Sequence, residues 1–289
     1  MTIVLGFIPG ERFLAVSITG SWCGLKCLYC MGKYLRGMHQ VTTPGELKAL
    51  AKRAWKRGAR GILISGGFTK EGKLPVKPYL GVIRELKREY GFVVSVHTGL
   101  VGEKEARELR AAGVDIVDFE VVLGRRVIEE VKGLRGIRPE DYLESLRVLA
   151  EHGPPYLAPH VPLGFEWGQI ESEYEALNAV SDYDPYLVVV LVLRPTPGTP
   201  MQDVKPPAVS EIAKFLREAR RRLRYELALG CMRPHSYKPV LDEIAVSERL
   251  VDRIAMPHRS LLGRLEIYEA CCSVPREFLF MFSREWVDE

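Results

Sequence analysis

Six cysteines stand in the 289 residues, and three of them fall in Cys23-Gly24-Leu25-Lys26-Cys27-Leu28-Tyr29-Cys30, a Cys-x3-Cys-x2-Cys spacing. Random placement gives this spacing only ~0.003 times in such a chain. Three thiolates from one short loop can hold three irons of a [4Fe-4S] cube, which leaves the fourth iron open to another molecule. The same logic separates a catalytic zinc site, with its open position, from a closed structural one. Two plainer readings use the same residues: a zinc knuckle completed by His39, and thiols that are structural or disulfide-bonded, the latter disfavoured where thiols are kept reduced. The remaining cysteines, Cys231 in Leu229-Gly230-Cys231-Met232-Arg233-Pro234 and the pair Cys271-Cys272, make a second set of three. Directed to one face they hold a second iron-sulfur cluster, with its last position open or taken by Ser273 or Arg233. Buried free thiols or a strained vicinal disulfide are the alternatives.

The elements that must position these residues follow a βα period. Apolar, β-branched runs cover Phe13 to Thr19, Gly61 to Ser65, Phe92 to Thr98, Asp115 to Val122, Leu157 to Leu163, Tyr186 to Arg194, Glu226 to Cys231 and Val251 to Met256. Between them, apolar residues at spacings of three and four predict helices over Pro44 to Lys56, Pro78 to Tyr90, Glu103 to Ala112, Pro139 to His152, Ile170 to Ser181 and Ala208 to Arg224. Eight such units predict an α/β fold, a (β/α)8 TIM-type barrel, with a partial (β/α)6 barrel as the alternative. The barrel takes residues 1–265, and a short C-terminal extension, 266–289, carries Cys271 and Cys272. A barrel gathers its chemistry at the C-terminal ends of its strands. There stand Ser65-Gly66-Gly67-Phe68, His97 and Thr98, Asp118 and Glu120, His160, Leu163 and Gly164, Arg194, and Cys231 with Arg233. Strand alternation puts Asp118 and Glu120 on one face, either into the mouth or toward outer helices. His97 and His160 are substrate groups or hydrogen-bonding structural histidines. A C-terminal segment folded over the mouth brings Cys271 and Cys272 beside Cys231.

Composition narrows the class. No apolar run approaches the ~20 residues that span a bilayer, and the opening Met1-Thr2-Ile3-Val4-Leu5 lacks the basic n-region of a signal peptide, so a cytoplasmic protein is expected. Lys and Arg number 41 against 37 Asp and Glu, a formal charge of +4 too mild and too interspersed for nucleic acid to be the main partner. One Asn (Asn178) and three Gln (Gln40, Gln169, Gln202) suit a thermophilic source. The basic stretch Leu216 to Arg224 reads as the solvated face of an outer helix.

The cysteine triplet, with an aromatic residue before its last Cys and a position just after the first strand of a βα barrel, resembles the radical S-adenosylmethionine (SAM) superfamily. The resemblance implies that Cys23, Cys27 and Cys30 hold a [4Fe-4S] cluster whose open iron is chelated by SAM. An electron from the cluster then cleaves the sulfonium to a 5′-deoxyadenosyl radical that abstracts hydrogen. It also implies that Tyr29 lies beside the adenine and that Ser65, Gly66 and Gly67 bind the methionyl amino group. By the same resemblance Glu120 accepts from the ribose hydroxyls, and Leu163 and Gly164 touch the adenine. Many members carry Glu where this chain has Phe68, which leaves the backbone contact but not a side-chain one.

Leu191-Val192-Leu193-Arg194-Pro195-Thr196-Pro197-Gly198-Thr199-Pro200-Met201 resembles the end of strand six in the biotin-synthase-like group. Ser17 to Gly20, Val96 to Leu100, Gly230 to Pro234 and Cys271-Cys272 are most similar to one component of the two-protein archaeal lipoyl synthase. That resemblance implies a sulfurtransferase that adds sulfur to a protein-bound octanoyl chain. Cys231, Cys271 and Cys272 would hold a sacrificial auxiliary cluster, expected as [4Fe-4S], and His97, His160, Arg194 and Arg233 would face substrate. Its partners would be an octanoylated lipoyl-carrier protein, a second radical SAM protein of the family and an electron donor such as ferredoxin.

Overall fold

The computed structural model describes residues 3–283. Eleven strands form one sheet in which every ladder is parallel, in the order β11-β1-β10-β9-β8-β7-β6-β5-β4-β2-β3. The eight expected runs are all there, as β2 (Phe13–Ser17), β4 (Gly61–Ser65), β5 (Val93–His97), β6 (Ile116–Glu120), β7 (Tyr156–Leu163), β8 (Leu187–Val192), β9 (Glu226–Leu229) and β10 (Arg253–Ala255). Three short strands join them: β1 (Leu5–Phe7), β3 (His39–Gln40) and β11 (Glu266–Tyr268).

Those additions overturn the closed eight-stranded barrel. Closure would require β10 to pair with β2, but β10 has β9 on one side and β1 on the other, while the second side of β2 is taken by β3. The sheet is therefore an open, curled half-barrel. Only Ile8 to Arg12 connect β1 to β2. The gap between them is packed by aromatic rings, with Phe13 edge-on to Phe282 at 5.7 Å.

The helices cover the outer face as the periodicity predicts: α1 (Pro44–Trp55), α2 (Leu80–Tyr90), α3 (Glu103–Ala111), α4 (Pro139–His152), α5 (Glu173–Ser181) and α6 (Val209–Arg222), with α7 (Lys238–Ser247) in addition. Local chemistry sets their starts. Thr43 and Glu46 close a capping box on α1 with Pro44 in the first turn, and Pro139 opens α4. Outward-facing strand residues such as Ile62, Val94, Val117, Val161 and Val190 are fully or almost fully buried beneath these helices.

The inner face is packed differently. The C-terminal extension begins as the edge strand β11 and then runs inside the half-barrel, where Ala270, Cys272, Val274, Leu279 and Phe282 meet Phe7, Phe13, Val93, Ile116, Ala158 and Leu187. It enters at the end where the strands begin, so it does not fold over the mouth as the sequence suggested. The reason lies in its anchors. Arg253 Nη1 donates to Cys272 O at 2.9 Å and also to Val274 O, the Tyr186 hydroxyl donates to Ser273 O, and Arg276 pairs with Glu226. All these anchors sit at or just before the first residues of β8, β9 and β10.

Candidate active site

The triplet occupies the loop that leaves β2, and three neighbours shape it. From the β4 end, Gly67 N donates to Thr19 Oγ1 at 2.7 Å, Thr19 Oγ1 donates to Trp22 O at 2.9 Å, and Gly24 N donates to Phe68 O at 2.8 Å. From the turn after β6, Val131 O accepts from Leu28 N at 2.8 Å. From the segment after β8, the Tyr34 hydroxyl meets Thr196 Oγ1 at 2.9 Å and Lys33 donates to Pro197 O. Within the loop, Cys30 N and Met31 N both donate to Cys27 O, and Lys26, Met31 and Gly32 take left-handed backbone angles. At Gly67 a side chain is sterically excluded, because a Cβ there would lie 1.8 Å from Trp22 O and 2.5 Å from Cys23 Cα.

Cys27 is buried, Cys23 and Cys30 are half-buried, and all six cysteines are free. Burial pushes the Cys27 thiol up to about 12 and the Cys30 thiol up to about 11, so neither ionises readily unless a cation takes its proton's place. Among the described residues no three His, Cys, Asp or Glu side chains converge on the point that one metal ion would fill. A loop donating three thiols around its own turn fits instead a cluster in which each thiolate takes a separate iron. His39, the fourth ligand of the zinc reading, is exposed in the edge strand β3.

Next to Cys27 is a cavity of about 50 Å³ lined by Tyr29, Phe68, His97, Glu120, Lys132 and Tyr142 among others. A larger groove of about 510 Å³ runs over the start of α3 and has none of the thiols in its lining. Glu120 points into the small cavity, as alternation requires, and is ion-paired there with Lys132. Burial works to raise the Glu120 carboxyl, but Lys132, with His97 and His160, outweighs it and holds the group below its ordinary range. Lys132 Nζ also lies 5.8 Å from the centre of the Tyr142 ring.

Lys132 escaped the sequence reading. It follows a π-helical turn, Val127–Val131, that carries it inward, and the signal available was a lone cation in the apolar stretch Val131-Lys132-Gly133-Leu134. Tyr29 packs on Phe165 with ring centres 4.3 Å apart and the planes tilted by 30°. His97 lies edge-on to Phe68 at 5.7 Å and stacks with His160 at 6.1 Å, and burial lowers the His97 pKa, which favours a neutral ring. His160 Nε2 in turn faces Asp118 Oδ1 at 4.0 Å. A line of polar side chains therefore crosses the inner face from Cys27 by way of Glu120, His97 and His160 to Asp118.

Other expected residues fare unequally. Ser65 O already accepts from Ile18 N at 2.8 Å, and Gly67 N is committed to Thr19, so Gly66 is left as the less engaged amide of the three. Leu163 is a correction: its side chain is fully buried in the core under the helices, away from the hollow, because it alternates outward from His160 and Pro162. Gly164 has φ 80° and sits against Pro207, while its N–H donates to Glu173 at 2.9 Å. Arg194 is exposed beside Tyr34.

Arg233 is the second correction. Fully buried, it forms a two-pronged pair with Asp242 at 2.8 Å on both contacts and donates to Gly230 O and Ala255 O, so it ties β9 to β10 and is free neither for substrate nor for iron. Of the second cysteine set, Cys231 lies near enough to Cys271 and Cys272 for their charges to act on one another. Cys231 is exposed to the hollow, yet enclosed enough that burial raises its thiol, with Cys271 adding to the effect. Cys271 is held below its ordinary value by a hydrogen bond from Cys272, helped by one from Ser273 Oγ at 3.2 Å.

The sequence profile of the radical SAM superfamily matches residues 17–175, more than half of the chain and the whole stretch from the end of β2 into α5. The chain belongs to the radical SAM superfamily. Biotin synthase of Alkalilimnicola ehrlichii is 24% identical over 209 residues, 71% of this chain and 62% of that protein. Biotin synthase of Chlorobaculum tepidum is 27% identical over 207 residues, 66% of this chain and 59% of that protein. The match thus spans about three fifths of the length of these relatives, and the likeness to biotin synthase is distant. Among solved structures, methylornithine synthase shares the fold at a TM-score of 0.60 and 16% identity, over 88% of this chain and 72% of that one.

A radical SAM enzyme uses a [4Fe-4S] cluster and SAM, and Cys23, Cys27 and Cys30 fit the three protein ligands of that cluster. Tyr29 and Glu120 line the cavity beside Cys27, and Lys132 fixes where the Glu120 carboxylate points. No helix among the described residues is long and apolar enough to cross a membrane.

Proposed function

We propose that this radical SAM enzyme inserts sulfur into an octanoyl chain carried on a lysine of a lipoyl-carrier protein, as one component of a two-protein lipoyl synthase. The observation that supports the reading is a second set of thiols, Cys231, Cys271 and Cys272, whose charges act on one another at the inner end of β9 and the C-terminal segment. When bound, the SAM cluster would supply a radical able to remove an unactivated alkyl hydrogen, and a second cluster would supply the sulfide and take up the one electron released as the carbon radical bonds to sulfur. The chain's own residues set the geometry. Cys231 follows β9, Cys271 and Cys272 rise from the C-terminal segment, and the space between them and the triplet is bounded by His97, His160 and Asp118. The sealed far end leaves the mouth as the entrance, and a flexible octanoyl-lysine arm reaches in from a docked carrier. A second radical SAM protein and a ferredoxin-type donor are the partners this reading requires.

The test is mass spectrometric. Octanoyl-lysine peptide incubated with reduced enzyme, SAM and the partner protein gains sulfur, and the Cys231→Ala/Cys271→Ala/Cys272→Ala variant forms 5′-deoxyadenosine without that gain. Abundant 5′-deoxyadenosine with no sulfur-bearing peptide in any pairing overturns the lipoyl reading. A second reading then takes its place, a biotin-synthase-like reaction on a small polar metabolite, favoured by the density of polar groups (His97, His160, Asp118, Glu120) along the inner face.

A further inference from the structure

Asp118 stands mid-strand on the inner face of β6, and its carboxylate is satisfied on one side only. The Ser95 hydroxyl donates to Oδ2, whereas Oδ1 has no hydrogen-bond partner although the residue is only 4% exposed. The nearest basic group, His160, does not supply the missing bond. Its Nδ1 lies 2.9 Å from Ala158 O, which can only accept, so a proton sits on Nδ1, and Nε2 stands 4.0 Å from Oδ1, too far for a hydrogen bond. A bare carboxylate oxygen in a protein interior is costly, and proteins keep such atoms chiefly where an ion, water or ligand completes them.

The surroundings say which. Ile116, two residues earlier on the same face, and Ala158, the register partner of Asp118, belong to the apolar layer that packs Cys272, with Cys271 against it. Asp118 therefore borders the layer that seats the vicinal cysteines, together with Ser95, the register partner of Ile116. Its charge acts on the thiols of Cys231, Cys271 and Cys272 alike. Of the other oxygen and nitrogen donors nearby, His160 Nε2 is the rival, and two more are spent. Arg233 is locked to Asp242, and Ser273 Oγ, fully buried, is turned to Cys271 Sγ.

We propose that Asp118 Oδ1 is the protein ligand to the fourth iron of a [4Fe-4S] cluster held by Cys231, Cys271 and Cys272, with Ser95 fixing the carboxylate through Oδ2. This rests on the second-cluster reading above. The bond is a lone-pair donation from carboxylate to iron, with no electron transferred. One hard oxygen among soft thiolates makes that iron chemically distinct from its three neighbours and its ligand the most readily displaced. The two clusters then differ in kind: the first has a corner open to SAM, and the second has a corner closed by the chain itself.

The experiment uses the full chain carrying Cys23→Ala, Cys27→Ala and Cys30→Ala, reconstituted anaerobically with ⁵⁷Fe and sulfide, so that only the second site is loaded. The parent is expected to hold about four irons per chain, with about a quarter of the Mössbauer area in a resolved subsite. Asp118→Cys keeps the iron and merges that quarter into a uniform all-thiolate spectrum. Asp118→Asn, nearly isosteric and still able to accept from Ser95, keeps the fold and shifts the quarter, which then responds to added cyanide. Spectra identical across parent, Asp118→Asn and Asp118→Cys overturn the assignment while leaving the cluster itself in place. Loss of the subsite in His160→Ala with its retention in Asp118→Asn overturns it in favour of the imidazole. A parent that binds no iron overturns the second-cluster reading and this assignment together.

Discussion

Gly67→Ala tests how the loop of the first cluster is held. The added methyl would lie 1.8 Å from Trp22 O and 2.5 Å from Cys23 Cα, so reaching an ordinary 3.4 Å contact moves one backbone against the other by about 1.6 Å. Neither side can yield cheaply. Two hydrogen bonds staple the two segments, Gly67 N to Thr19 Oγ1 and Gly24 N to Phe68 O, and a third, Thr19 Oγ1 to Trp22 O, stiffens the loop itself. Holding the loop in place costs ~1–3 kcal/mol of overpacking, and swinging it out, which carries Cys23 with it, costs a net ~1 kcal/mol for each bond broken, about 2–3 kcal/mol. Displacement of reacting groups by ~1 Å costs on the order of 100-fold in rate. The assay is 5′-deoxyadenosine formation under strong reductant, alongside iron content in a Cys231→Ala/Cys271→Ala/Cys272→Ala background. Gly67→Ala is expected to lose most of the iron and at least ~100-fold in cleavage. Gly66→Ala, whose Cβ would meet the Thr19 side chain at 3.0 Å and Leu74 at 3.3 Å, is expected to lose less than ~10-fold because side chains can give way. Gly67→Ala with full iron and cleavage within about twofold of wild type refutes the steric account.

Lys132→Met leaves Glu120 buried without its cation and should destabilise the fold by ~3–5 kcal/mol in denaturant titration, with Glu120→Gln/Lys132→Met recovering more than half; an additive double variant contradicts the pairing. Arg233→Met strands Asp242 and the carbonyls of Gly230 and Ala255, so it should lower stability by ~3–5 kcal/mol, whereas a stable variant altered only in KM would restore its substrate role. Glu173, raised to about 7 by burial, holds a proton in the fold that the unfolded chain has already released, so stability falls as pH rises from the ordinary carboxylate range through about 7. Glu173→Gln should remove that slope from the wild-type-minus-variant stability curve, and an unchanged slope assigns it to another group.

The parts of the fold that were legible are those the chain states locally. Gly61 to Ser65 is a five-residue buried run that reads as a strand in any context, and Thr43 with Glu46 announces a helix start. Closure was not legible, because it turned on Leu5–Phe7 and Glu266–Tyr268, three residues each, too short to show a period and decisive only through what they pair with. The cysteine triplet was read from spacing alone. Arg233 was misread for the opposite reason: an arginine beside a strand-end cysteine resembles a site residue until Asp242, nine residues on and on the buried face of α7, is seen to claim it. Lys132 was missed because a π-helical turn breaks the 3.6-residue pattern used to place side chains.

The open sheet also explains why there is room for chemistry. In a closed eight-stranded barrel, inward side chains fill the interior in layers. Here β1 and β11 add to β10 on the side where β2 would close the barrel, and several inner positions are small: Ser95, Ala158, Ala228 and Ala255. Width alone would flood the interior from both ends. The C-terminal segment closes the lower one with Leu279 and Phe282 against Phe7 and Phe13, and Arg253, itself fully buried, clamps it by its carbonyls. Water exclusion matters most where a reactive radical must meet one chosen hydrogen. The same segment that seals the floor carries Cys271 and Cys272, so sealing the hollow and placing the second set of thiols are one structural event. A variant that loosens the plug, such as Phe282→Ala, should therefore reduce iron at the second site while sparing the first.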